Sequence, residues 1–179
     1  TVSGSRPDGK LIGLYTFTET SGSTVVDRSG VSPLADGTLS GAHFTWHPAQ
    51  GLTRAVGVGS RVVAAPLSKY VSAFQASNQL AIEVWAEPAG TAAGGPARIV
   101  TFSHGASCPA QQMVHIAQET TQASFRFVGQ SSNVCGDVFG TNVFVANTPT
   151  HLVVEYAGGS RTVYKDNTAI HSPSESLGS

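Results

Sequence analysis

Apolar residues along the chain recur at every second position, not at the three- to four-residue spacing of a helix. In the stretch "LAIEVWAE", Leu80, Ile82, Val84 and Ala86 fall on one face of an extended segment, and Ala81, Glu83, Trp85 and Glu87 fall on the other. The same reading predicts strands over residues 11–18, 61–65, 80–87, 98–103, 113–118, 124–129, 138–145, 151–156 and 161–166, separated by Gly, Pro, Ser and Asn clusters. "YAGGSR", residues 156–161, is the clearest hairpin, because Gly158 and Gly159 can take the positive φ that tight turns need. Only "SKYVSAFQ", residues 68–75, has room for a helical turn. The sum is an antiparallel all-β chain. Strands with one apolar and one mixed face fit a two-sheet sandwich or jelly roll. Without a repeat, a heptad or a boundary signal, residues 1–179 read as a single domain.

Composition narrows the partners. Of the 179 residues 40% are apolar and only 12% charged, with a net charge of −1, so the chain has enough material for a core but no basic surface for a phosphate backbone. Nucleic acid is excluded as an expected partner. No apolar run reaches the roughly 18–20 residues of a membrane helix, and the polar start lacks a secretion-signal pattern, so the sequence reads as a mature or excised piece. Cys108 and Cys135 lie in a Ser/Asn/Gly-rich, lysine-poor context common outside cells. Paired, they would stabilise the fold by roughly 3.6 kcal/mol in the chain-entropy view; unpaired, they would be small buried hydrophobes suited to a reducing compartment.

Glu83 and Glu87 share a face with Trp85 between them, and two acids flanking a glycosidic bond are the usual means of hydrolysing it. The same letters are also ordinary sheet. His43 and His47 are four apart, but "HFTWH" is extended and would separate them by roughly 13 Å, too far for one metal. His104, His115, His151 and His171 are scattered without a nucleophile motif, and His151 reads as the first residue of a core strand. Asp27, Ser29 and Gly30 form an Asp-x-Ser-Gly turn in which the carboxylate can bond its own backbone. Trp46, Tyr70 and Asn133 are the aromatics and amide best suited to stack on or bond a sugar.

The order of segments resembles a known family. "GLYTFTETSGSTVVDRSG" (13–30), "AIEVWAEP" (81–88), "RIVTFS" (98–103), "SFRFVG" (124–129) and "HLVVEYAGGSRTVYKDN" (151–167) are similar, in that order, to laminin-G-like jelly-roll domains of the concanavalin A-like lectin/glucanase superfamily. Thr150 departs from the Trp that often precedes the His, and Asn167 from the turn Gly. The resemblance implies a two-sheet antiparallel jelly roll without the closing C-terminal strands with which such domains usually continue past "YKDN". It implies calcium near Asp27, Ser29 and Gly30 as one option, with a metal-free turn as the other. Glucanase relatives place an acid where this chain has Trp85, which removes one means of setting two carboxyl pKa values apart. The implied function is a non-catalytic extracellular or cell-surface recognition and adhesion module that binds a glycan or a surface protein. The alternatives are a self-assembling subunit, completed by strand donation from another copy or a partner chain, and a glycoside hydrolase using Glu83 and Glu87.

Overall fold

The computed structural model describes residues 11–48, 50–55, 60–92, 97–103, 112–127, 137–140, 142–157 and 160–171. They are all-β apart from one helix, and the chain divides into two compact units, Thr1–Ser77 and Asn78–Ser179.

In the first unit, β1 (Thr24–Val25), β2 (Gly37–Ser40), β3 (Phe44–His47), β4 (Gly51–Arg54) and β5 (Arg61–Ala64) precede the helix α1 (Ser68–Ser77). β2 lies between β1 and β5 in an antiparallel sheet, and β3 pairs with β4. Gly37 is fixed by close approach: a Cβ there would lie 2.6 Å from Val62 Cγ1 and 3.4 Å from Val25 Cβ. The strand expected over residues 11–18 does not form. Leu14 N–H donates to the Asp27 carboxylate (3.2 Å) instead of to a neighbouring strand, and Phe17 takes a φ of 52°, which interrupts extended backbone. The expected helical turn is a full ten-residue helix.

The second unit contains β6 (Gln79–Ala86), β7 (Ala97–Ser103), β8 (Gln112–Glu119), β9 (Gln122–Phe127), β10 (Asp137–Phe139), β11 (Thr150–Ala157), β12 (Ser160–Lys165) and β13 (Thr168–His171). They make two antiparallel four-stranded sheets, in the orders β13-β12-β11-β6 and β10-β9-β8-β7. Both sheets feed one hydrophobic core. Phe125, Ile116 and Val114 come from one sheet and Leu152, Val154 and Val163 from the other, with Leu80, Ile82 and Val84 packed against them. β6 alternates exposed and half-buried residues along its whole length, as its period-two pattern predicts. The expected strand over 138–145 is cut short: β10 ends at Phe139, Gly140 takes a φ of 71°, and Val143 and Phe144 enter the core from a non-strand segment.

β11 and β12 are antiparallel with Ala157 opposite Ser160, as a two-residue hairpin requires; its glycines, Gly158 and Gly159, lie outside the described residues. Between β12 and β13, Asp166 (φ 48°) and Asn167 (φ 66°) both adopt the left-handed conformation of the tight hairpin turn, so Asn167 meets the demand that Gly usually fills.

The side of β8 and β9 away from the core is also buried. It carries His115, Ala117, Ser124 and Arg126, with His115 Nε2 3.4 Å from Ser124 Oγ. Burial, reinforced by the positive charges of Arg98 and Arg126, pushes the His115 imidazole down to about 4. In the unfolded chain it titrates near 6.5, so on acidification the unfolded state binds the proton first. The stabilisation is complete above about pH 6.5 and is lost as pH falls toward about 4. Between about pH 7.5 and 5 the loss should be roughly 2 kcal/mol. Urea unfolding curves across that range should show it, and the His115→Gln variant should flatten the dependence.

Candidate functional site

The antiparallel register of β6 and β11 sets His151 opposite Trp85 and Val153 opposite Glu83. Because Leu152 and Val154 enter the core, His151, Val153 and Glu155 stand on the opposite face of the sheet, with Glu83 and Trp85. There the Trp85 and His151 rings stack, with centroids 4.3 Å apart and planes inclined by 16°. His151 Nε2 lies 3.0 Å from Glu83 Oε1. An ionised carboxylate only accepts, so Nε2 carries the proton of this bond. Trp85 remains 56% exposed while His151 beneath it is 5% exposed, so the imidazole is the brace and the indole the presented surface.

The β12–β13 turn holds His151 in place. Asp166 N–H donates to His151 O (3.0 Å), and His151 N–H donates to the Asp166 carboxylate (3.3 Å). β6 pairs only with β11 among the described residues, which makes it an edge strand there. The arrangement is a rigid aromatic platform with a hydrogen-bonding carboxylate beside it. Glu87, exposed, follows the last residue of β6.

The aromatics singled out from sequence as sugar contacts fall elsewhere. Trp46, half-buried on β3, donates its indole N–H to Gly22 O (2.9 Å). Tyr70, on α1, bonds Tyr15 through its hydroxyl (2.8 Å), and a Cβ on Gly13 would collide with its ring. Asn133, Cys108 and Cys135 lie outside the described residues. His47 is the last residue of β3, and His43 stands just before it with a φ of 77°. Trp85 and His151 were visible as letters, but their stacking depends on strands some 65 residues apart in sequence, and only the mixed face of β6 signalled it.

Asp27 organises the first unit. Its side chain is fully buried, with Oδ1 accepting from Leu14 N–H (3.2 Å) and Ser29 N–H (3.0 Å) and Oδ2 from Ala35 N–H (3.0 Å) and the Lys69 ammonium. Lys69, also buried, donates further to Val31 O (3.1 Å) and is 3.4 Å from Ser29 Oγ. Ser29 Oγ accepts from Val31 N–H (3.2 Å), and Gly30 has a φ of 72°, completing the turn expected at Asp-x-Ser-Gly. Burial raises the Asp27 pKa, but the Lys69 bond and the Ala35 and Ser29 amides outweigh it, holding the carboxyl well below the usual range. Burial raises the neighbouring Tyr15 phenol strongly, aided by the Tyr70 hydrogen bond and the Asp27 charge. The cation beside Asp27 in this structure is the Lys69 ammonium, which three oxygens surround: Asp27 Oδ2, Val31 O and Ser29 Oγ.

No protein-family model matches the chain, nor does any curated protein.

Lys69→Met would leave a buried carboxylate without its cation, at a cost of about 3–5 kcal/mol. The Asp27→Asn, Lys69→Met double variant should be less destabilised than the sum of the single changes, with a coupling above about 1 kcal/mol in a double-mutant cycle read by urea unfolding.

Proposed function

We propose that this chain is a non-catalytic extracellular recognition module, a two-sheet jelly roll of the concanavalin A-like type, that takes a glycan on the outer face of the β6–β11 sheet. The observation that carries the reading is Trp85, a large aromatic held open to solvent by stacking on a buried imidazole. A sugar ring presents C–H groups to such an indole face and hydroxyls to the carboxylate beside it. Binding rather than hydrolysis is favoured because Trp85 separates Glu83 from Glu87 and Glu83 is engaged by His151.

A second reading has its own support. The eight residues of β6 are paired on one side only among the described residues, so strand addition by another chain or copy could occupy that edge. A Cys108–Cys135 disulfide suits the same extracellular setting. Calcium binding at the Asp27 turn would require Lys69 to withdraw, so a calcium-dependent rise in Tm that is larger in Lys69→Ala is the expectation there.

Glycan-array screening followed by titration tests the main reading. Trp85→Ala should weaken the bound saccharide by about tenfold or more, equivalent to about 1.4 kcal/mol of stacking, while the variant still unfolds cooperatively, since the indole stands on the outward face and not in the core. An array without a bound sugar, or an affinity indifferent to Trp85, would overturn the reading. Concentration-dependent association in sedimentation, with no saccharide bound, would instead favour strand addition.

A further inference from the structure

The charge of the Trp85 face restricts what it can hold. Same-face residues along a strand are about 7 Å apart, so Glu83 is within reach of any ring seated on Trp85. Glu87 follows the strand end, and Glu155 stands on the same face of β11, opposite Ala81 and one row beyond Glu83. Both are exposed. The rest of that face contributes Val153, Thr162 and Tyr164, with Ala169 on β13.

The described cations of this unit lie elsewhere. Arg161 pairs with Tyr156, on the core side, and lies over the Phe125 ring. Lys165 donates to Asn142 O (3.1 Å). Arg98 and Arg126 belong to the other sheet. Among the described residues of the platform, the group able to gain a positive charge is His151, and its ring is covered by Trp85 and bonded to Glu83. The field over the platform is therefore set by the exposed carboxylates of Glu87 and Glu155, and the Arg and Lys side chains described in this unit do not stand on that face. Uronate, sialyl and sulfated sugars would be repelled by it. A neutral sugar gains nothing from it.

A protonated amine gains twice, from the carboxylates and from the negative π-face of the indole. We propose that the platform selects an oligosaccharide of hexosamine units with free amino groups, Trp85 stacking on a sugar ring while Glu83, Glu87 and Glu155 receive its ammonium groups. This rests on the glycan reading above and adds the charge of the ligand. A sugar is chosen over a basic peptide because the indole is the main exposed apolar contact: stacking on a ring uses it fully, whereas a lysine chain would use only its charge.

Isothermal titration of the full chain at mildly acidic pH, where the amines are protonated, tests this with four probes of equal length: a glucosamine hexamer, its N-acetylated counterpart, a hyaluronan hexasaccharide and hexalysine. The free-amine hexamer should bind about tenfold or more tightly than the acetylated one, and hyaluronan should not bind. Added salt should erode the difference. The Glu87→Gln, Glu155→Gln double variant, whose changes lie away from the His151 contact, should bring the free-amine affinity down to that of the acetylated hexamer. Trp85→Ala should weaken both sugars.

Equal binding of the two sugars, with Trp85→Ala still abolishing it, would overturn the charge selection and leave the glycan reading standing. Tighter binding of hyaluronan would do the same. Binding of hexalysine as tight as that of the free-amine sugar would overturn the choice of a sugar. Failure of every saccharide to bind a chain that unfolds cooperatively would overturn both the inference and the reading beneath it.

Discussion

The pairing register of β6 with β11 is the constraint on which the second unit depends. It runs unbroken from Gln79 opposite Ala157 to Ala86 opposite Thr150. A slip by one residue would turn Leu80, Ile82 and Val84 out of the core and drive Glu83 and Trp85 into it. The core therefore fixes the register, and the register fixes the site. Trp85 meets His151 because Val84 must meet Leu152 on the other face. The turn after β12 adds a second anchor, since Asp166 holds both backbone groups of His151 and so sets where β11 begins.

The first unit is organised differently. Its strands are short, and the segment from Leu11 onward is held by a side chain instead of a ladder. Asp27 gathers amides from three separate stretches of chain and a lysine from the helix, so one buried charge replaces several backbone hydrogen bonds. Breaking either member of such a pair strands the other in a dry site, whereas removing both together does not. Tyr15 and Tyr70 extend the network, with Tyr15 O–H donating to Ala35 O and Tyr70 O–H therefore donating to Tyr15.

What was legible in the sequence follows from these two modes. β6, β7, β8, β9, β11 and β12 were readable because each is six or more residues long and carries a period that burial on one face enforces. β5 was read as well, from its run of apolar residues, but β1 to β4, two to four residues long, show no clear period. Residues 11–18 look like a strand by composition, but the Asp27 carboxylate takes the Leu14 amide and Phe17 adopts a positive φ. The Asp-x-Ser-Gly turn was legible because its bonds are local; Lys69 was not, because it arrives from 42 residues away. Trp46 and Tyr70 looked like presented aromatics, yet each spends its polar atom on an internal partner. An aromatic's letter does not tell which way it faces.

Trp85 differs from those two in what surrounds it. An indole exposed on a bare sheet would lie down over its neighbours to bury its own area, because apolar surface left in water is unfavourable. Here the stacked imidazole occupies one face, and that imidazole cannot yield the space, since Glu83 holds its ring and Asp166 holds its backbone. One face of the indole is thus satisfied within the protein and the other is left open. The ordering entropy of the ring is already spent in the free chain, so a planar ligand that covers the open face gains contact without having to immobilise the side chain first. The same stacking explains why a polar histidine sits almost fully buried on an outward face: its burial is supplied by the tryptophan, and its hydrogen bond by the glutamate. Each of the three residues makes the position of another tenable, and the part of the triad left facing solvent is an aromatic surface beside a carboxylate.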